Sequence, residues 1–130
     1  MNPEFINSQI LAYLGDSVIE LMARDYLIKE SGLMKVNELY QRATHFVSAK
    51  AHTDFIHHCL DHSFLSEEEV SIYKRGRNTK NNKNETAEHR CSTGFEALIG
   101  YLYLKDDHER IKEIFQELIN YVNGTNLKQI

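Results

Sequence analysis

The sequence predicts an all-α fold, in a single domain of about six helices. The only proline is Pro3 and the chain has six glycines, so few residues after it oppose helix formation. Apolar residues recur every three or four positions over most of the chain, which is the period of one helix face. A chain of 130 residues has room for one hydrophobic core, and we expect residues 1–130 to form one domain.

The first helix is predicted over residues 7–28, where apolar side chains follow one helix face and Asn7 or Ser8 can act as the N-cap. A second helix is predicted over residues 36–46. Ser48 can cap a third helix, whose apolar face carries Ala51, Phe55, Ile56, Cys59 and Leu60. The first half of the chain therefore predicts three consecutive helices.

The pattern Ser66-x-x-Glu69 is a capping box, in which two side chains satisfy backbone N–H groups of the first helical turn. It predicts a fourth helix that ends near Arg77 in a basic tip. Residues 78–90 contain four Asn and one apolar residue, Ala87, so we expect an exposed loop there.

Residues 92–104 are the most apolar segment, and their helical spacing predicts a central helix. Asp106 or Asp107 can cap a last amphipathic helix, which we expect Gly124 to close as a C-cap residue. The second half of the chain thus completes the predicted bundle.

Composition restricts the class of protein. Hydrophobic residues make up 42% and charged residues 26%, the balance of a folded globular protein. No apolar run approaches the roughly 20 residues that span a bilayer, and no signal peptide is recognisable, so we expect a cytoplasmic protein with no membrane association. The formal net charge of −4 opposes general binding to polyanions, so any contact with nucleic acid must be local.

Two carboxylates lie four residues apart in the first predicted helix. Asp16 and Glu20 would share one helix face, where like charges repel unless a cation or a basic side chain lies between them. Such a pair suits Mg²⁺, which binds one or two carboxylates and keeps several waters. A solvated acidic pair that interacts with Arg24 fits the same spacing, so the pattern alone leaves both interpretations open.

Glu96 is the only charged residue in the apolar segment 92–104. A carboxylate that is buried among apolar side chains needs a partner. The spacing Thr93-x-x-Glu96 also fits a capping box at a helix start, and spacing alone favours that role.

Basic residues are concentrated between positions 74 and 90, where six Lys or Arg face two Glu. Such a segment can neutralise phosphates, while Asn amides add hydrogen bonds to backbone oxygens. A solvated surface loop is the alternative. The candidate binding residues are Arg75, Arg77, Asn78, Lys80 and Lys83.

Four histidines occur between positions 52 and 62, and His58 and His62 have the spacing of a helical metal pair. No CxxC pair or second HxxxH pattern supplies the remaining ligands that a zinc site needs. We assign these histidines no functional role.

Three separated segments together resemble the mini-ribonuclease III family. They are LAYLGDSVIE at 11–20, YKRGRN at 73–78 and STGFEALIGYLYL at 92–104. Their order and spacing match the family, and the similarity extends through ELYQRATHFVSAKAH at 38–52. Three motifs in register are far more specific than any one of them.

The resemblance implies a ribonuclease III-type endonuclease domain that lacks a double-stranded-RNA-binding domain and forms a homodimer. It implies that Asp16 and Glu96 are the catalytic, Mg²⁺-binding carboxylates of an endoribonuclease that cleaves double-stranded RNA. The expected substrate is the precursor of large-subunit (23S) ribosomal RNA. The sequence leaves open a ribosomal protein as a further partner.

The chain departs from full-length ribonuclease III at two positions. Ala12 stands where that signature has a glutamate, and Thr93 where it has an aspartate. The mini branch shows similar replacements, and Glu20 is a further candidate metal ligand. A non-catalytic RNA-binding or protein-interaction domain that kept the fold is the alternative, and metal-dependent cleavage of RNA distinguishes the two.

Overall fold

Helices account for almost all of the regular structure. The structure, a computed structural model, describes residues 1–32, 35–79 and 85–128. Over these ranges it has no strand, and no helix in them is apolar over a long enough stretch to cross a membrane. The elements are a 3-10 turn (Pro3–Phe5), α1 (Ser8–Ser31), α2 (Val36–Val47), α3 (Ala49–Asp61), α4 (Glu67–Arg77), α5 (Ala87–Leu104) and α6 (His108–Lys128). The predicted all-α bundle of about six helices is confirmed.

Polar caps begin the helices where the sequence predicts them. At α1, the Asn7 side chain accepts a hydrogen bond of 2.7 Å from the backbone N–H two residues further on. Ser48 accepts one of 3.1 Å at α3, and Asp107 accepts one of 3.3 Å at α6. Ser66 and Glu69 form the reciprocal capping box of α4. Because each cap satisfies N–H groups of its own first turn, local sequence is enough to locate it.

Two helix boundaries in the expected pattern are wrong. α5 begins at Ala87, inside the expected loop 78–90, because Thr86 caps it and Ala, Glu and Arg are good helix formers. Gly124 does not close α6, which continues beyond it. One glycine costs a helix only about 1 kcal/mol, so it does not by itself end one. Residues 80–84 of the expected loop lie outside the described residues.

α5 is the centre of the bundle. α1, α3 and α4 pack around it, and α6 also contacts it. Phe95, Ala97 and Leu98 of α5 are at most 1% exposed. Because burial of apolar side chains is the dominant favourable contribution to folding, α1, α3 and α4 are positioned mainly by their contacts with α5, whereas α2 packs mainly on α1.

Two glycines let the backbones of α1 and α5 touch. A Cβ atom on Gly15 of α1 would overlap the carbonyl oxygen of Glu96 in α5. In the opposite direction, a Cβ atom on Gly100 of α5 would overlap the carbonyl oxygen of Leu11 in α1. Helices that pack through side chains keep their axes about 8–10 Å apart, so this crossing is unusually close. It brings the residue after Gly15, Asp16, beside Glu96.

We expect Gly15→Ala to destabilise the protein by at least about 3 kcal/mol, because the added methyl group meets backbone atoms that cannot rotate away. Chemical denaturation measures the free energy of unfolding. Gly124→Ala is the matched control, since a Cβ atom there meets nothing and alanine favours a helix by up to about 1 kcal/mol. Equal stability of Gly15→Ala and the unsubstituted protein would contradict the close crossing.

Candidate active site

The side chains of Asp16 and Glu96 meet at the α1–α5 crossing. Asp16 is exposed on α1, whereas Glu96 is partly buried on α5, 80 residues later in the chain. Gly15, the residue before Asp16, lies against the Glu96 backbone, and the two carboxyl groups are close enough for Asp16 to change the pKa of Glu96. Burial, reinforced by the Asp16 carboxylate, raises the pKa of Glu96 to about 9. In the absence of a cation, the Glu96 carboxyl therefore keeps its proton at neutral pH.

This pair has the properties of a site for a hard divalent cation. Two carboxylates in a partly buried setting repel each other, and a cation between them removes the repulsion. Among the described residues, no cluster of three or more His, Cys, Asp or Glu side chains could hold a metal ion. Because Mg²⁺ needs only one or two protein carboxylates, Asp16 and Glu96 fit it without a third.

Glu20 has a partner on its own helix. Its Oε2 atom lies 3.3 Å from Nε of Arg24, one turn further along α1. This is the ion pair that the sequence left open as the alternative to a metal site. The expected role of Glu20 as a metal ligand stays a prediction, and the contact with Arg24 gives its charge a different partner.

The capping-box interpretation of Thr93 and Glu96 is wrong. Both residues lie well inside α5, whose N-cap is Thr86. The Thr93 hydroxyl donates a hydrogen bond of 3.1 Å to the carbonyl of His89, one turn earlier in the helix. Glu96 is thus free of any capping role, and its carboxyl group points to the crossing with α1.

Sequence reasoning missed two residues behind Glu96. Ser92, one turn earlier on α5, lies on the same helix face as Glu96 and acts to lower the pKa of Glu96. His52 of α3 is completely buried, and its Nδ1 atom lies 2.9 Å from the Ser92 hydroxyl oxygen. The sequence did indicate that His52 is buried, because it has helical spacing with the buried residues Phe55 and Cys59.

Arg75, an expected RNA-binding residue, is exposed, but its guanidinium bonds to other groups of the protein. Its guanidinium donates hydrogen bonds to the carbonyl oxygens of Glu4 at 2.7 Å and Ile6 at 3.2 Å. A third bond of 3.2 Å reaches the Ser8 hydroxyl. Arg75 therefore fastens the segment before α1 to α4, and its expected role in RNA binding stays a prediction.

The other expected RNA-binding residues follow Arg75 at the end of α4. The Arg77 guanidinium lies 5.5 Å from the ring centroid of Tyr73, and its Nε donates a hydrogen bond of 3.2 Å to Asn78. Asn78 is exposed. Lys80 and Lys83 lie outside the described residues. Of the three candidates that the structure describes, Arg77 and Asn78 are the two that do not bond to the N-terminal segment.

Comparison with known proteins identifies the family. The Ribonuclease III domain family matches residues 9–107, which include both carboxylates of the site. The chain belongs to the ribonuclease III family. The mini-ribonuclease 3 of Enterococcus faecalis is 43% identical over 95% of this chain and 96% of its own length. That of Streptococcus pneumoniae is 42% identical over 92% of this chain and 95% of its own.

A solved structure shares the fold. The crystal structure of a Fusobacterium nucleatum protein superimposes with a TM-score of 0.78 at 28% identity, covering 92% of this chain and 98% of that one. The predicted resemblance to mini-ribonuclease III is confirmed, and the chain is an endoribonuclease. Ala12, where the full-length ribonuclease III signature has a glutamate, is 8% exposed, so that position lies in the core of this fold.

We expect Glu96→Gln to stabilise the metal-free protein at pH 8 by about 1 kcal/mol, as substitutions of strained functional groups commonly do. The pKa of Glu96 is about 9 in the folded state and near 4.5 when exposed. Between these values the folded state holds a proton that the unfolded state has lost, so this group makes stability fall as pH rises. Glutamine does not ionise, so the substitution removes this fall in stability with pH.

Thermal melting in a chelator at pH 6, 7 and 8 measures the difference. The gap between the two melting temperatures should widen with pH. Glu109→Gln is the control, because Glu109 is exposed and pairs with Lys112 on its own helix. If the melting temperatures of Glu96→Gln and of the unsubstituted protein changed in parallel with pH, the pKa of Glu96 would not be raised.

Proposed function

We propose that the chain is a Mg²⁺-dependent endonuclease for double-stranded RNA. The observation that carries the proposal is the forced proximity of Asp16 and Glu96, in a chain that belongs to the ribonuclease III family. Hydrolysis would leave 5′-phosphate and 3′-hydroxyl ends. The exposure of Asp16 supports this function, because a phosphate of a large substrate can reach the pair from the surface.

When bound, Mg²⁺ supplies positive charge for the phosphate oxygens and activates a water for attack on phosphorus. The protein contributes the ligands and their placement. Asp16 and Glu96 hold the cation once Glu96 gives up its proton, and the glycine crossing keeps the two carboxylates together without a flexible loop. Competition between proton and cation then makes cation binding stronger as pH rises.

Asp16→Asn is expected to reduce cleavage by at least about 100-fold, because loss of a metal ligand costs more than loss of an outer contact. Binding to RNA should be largely kept. The measurement is cleavage of a labelled double-stranded RNA with Mg²⁺ or with chelator. Asp25→Asn is the control, since Asp25 lies on the same helix and pairs only with Lys29.

Cuts in both strands that need Mg²⁺ and disappear in Asp16→Asn would support the enzyme. Intact RNA at every protein concentration would favour the alternative, a non-catalytic RNA-binding or protein-interaction domain. If zinc restored activity after chelation and Mg²⁺ did not, the cofactor would be zinc and not Mg²⁺.

The proposed natural substrate is the precursor of 23S ribosomal RNA, which is the expectation that the family resemblance carries. A cytoplasmic enzyme follows from that substrate. A labelled stem from the ribosomal precursor should be cut faster than an unrelated stem of equal length. Addition of ribosomal proteins to the same reaction tests whether one of them is a partner.

For RNA binding we propose Arg77 and Asn78, with Lys80 and Lys83 beyond them. Arg77→Ala should weaken binding and make it less dependent on salt, because one phosphate contact is lost. Arg75→Ala should instead lower the melting temperature by several degrees, because three hydrogen bonds to the N-terminal segment are lost. Binding by filter retention over a salt series and thermal melting distinguish the two. If Arg75→Ala weakened RNA binding and Arg77→Ala lowered the melting temperature, the roles proposed for the two residues would be exchanged.

We also propose that α1 forms the interface of a homodimer. Ile10, Tyr13 and Leu21 lie on the exposed side of α1 and are 60%, 80% and 70% exposed. A groove of about 370 Å³ beside them is lined by Leu14, Val18, Leu21 and Tyr103, among others. A second copy is the proposed occupant, because a two-fold dimer pairs the same surface with itself and would put two Asp16 sites on one face.

Tyr13→Glu should convert the dimer to the 15.2 kDa monomer, because it places a charge in the proposed apolar interface. Sedimentation equilibrium measures the mass. Gln116→Glu, which adds a charge to the exposed side of α6, should leave the dimer intact. An unchanged mass for Tyr13→Glu would move the interface away from this face.

A further inference from the structure

A chain of three polar side chains runs from the core to the site. His52 lies on α3, whereas Ser92 and Glu96 lie one turn apart on α5. His52 is 0% exposed, its ring centroid is 5.0 Å from that of Phe95, and its Nδ1 is 2.9 Å from the Ser92 hydroxyl oxygen. Ser92 precedes Glu96 by one helical turn, so the two side chains lie on the same face of α5, and Ser92 acts to lower the pKa of Glu96. Buried polar groups of this kind are costly unless they are paired, so the arrangement requires an explanation.

The direction of these hydrogen bonds follows from the other ring nitrogen. His52 Nε2 is buried and has no hydrogen-bond partner among the described residues. The backbone carbonyl of Phe46 acts to raise the pKa of His52, but it forms no hydrogen bond with Nε2. A buried N–H without a partner is rarer than a buried lone pair without one. The proton of a neutral His52 therefore belongs on Nδ1.

A serine hydroxyl has one hydrogen to donate. If Nδ1–H of His52 donates to the Ser92 oxygen, the Ser92 hydrogen is left for Glu96. Burial lowers the pKa of His52 to about 4, so the ring stays neutral in the range where the enzyme would act. A neutral donor orients Ser92 without adding a charge that would compete with a cation at Glu96.

We propose that His52 and Ser92 are positioning residues for Glu96, with His52 Nδ1 donating to Ser92 and the Ser92 hydroxyl donating to one oxygen of the Glu96 carboxylate. The other oxygen then faces Asp16 and the divalent cation. The cation part of this inference rests on the proposed function. Neither residue touches substrate, and both act through Glu96.

The first test examines the hydrogen bonds in the complete chain without RNA. Long-range ¹H–¹⁵N NMR of the ¹⁵N-labelled protein at pH 7 reports which nitrogen of each histidine carries the proton. The expected result is a neutral His52 with the proton on Nδ1. A proton on Nε2 would reverse the direction of both bonds and overturn the proposal.

The second test measures metal affinity directly. Ser92→Ala should raise the dissociation constant for Mg²⁺, measured by calorimetry, by about 10-fold, the lower end of the effect of outer contacts on metal sites. His52→Asn keeps a donor close to the position of Nδ1, whereas His52→Gln places its amide near Nε2. We expect His52→Asn to keep more of the affinity than His52→Gln. Exposed His57→Gln, on the same helix, is the control.

Kinetics separates positioning from general damage. Ser92→Ala should lower kcat and leave the KM for RNA unchanged when both are measured well below the melting temperature, which should itself fall by a few degrees because the buried Nδ1–H of His52 loses its acceptor. Equal Mg²⁺ affinity and equal kcat in Ser92→Ala would overturn the proposal. If the unsubstituted protein binds Mg²⁺ but cuts no RNA, the proposed function fails, while the NMR and calorimetry results still decide this inference.

Discussion

The contact between the backbones of α1 and α5 is the constraint on which the site depends. Where Gly15 meets α5 and Gly100 meets α1, no side chain separates the helices. Two carboxyl groups, which repel each other when both are ionised, are therefore held together by the packing of the whole bundle, and mainly by the buried side chains of α5. The apolar core supplies the free energy that opposes this repulsion. The same crossing therefore links the stability of the fold to the proposed cation site.

Helix starts could be predicted because each depends on residues within one turn. Asn7, Ser48 and Ser66 cap helices through bonds to backbone groups two or three residues away. The predicted start of α5 was wrong because it depends on contacts beyond the first turn of the helix. Thr86 is a good cap, but the polar residues around it resemble a loop, and only the packing of the later part of α5 shows where the helix belongs.

The site was less accessible to local patterns. Spacing favoured a capping role for Glu96 and could not pair it with Asp16, since 80 residues separate them. The family resemblance joined the two, and the structure agrees with that pairing. The hydrogen-bond partners of Arg75 lie at least 67 residues from it in the chain. Ser92, the partner of His52, lies 40 residues from it. Such contacts have no periodic signature, so the sequence described Arg75 by its charge alone and gave His52 no role.

The glycine crossing also affects how genetic screens of this enzyme should be interpreted. With the role proposed for Asp16, a screen that scores only activity would put substitutions at Gly15 and at Asp16 into one class of null alleles. Their causes differ, since a side chain at Gly15 overlaps backbone atoms, whereas Asp16 is exposed. Only the yield of soluble protein separates these classes. Revertants should differ too: compensating changes elsewhere in the core can restore a weakened fold, but none can replace a missing carboxylate.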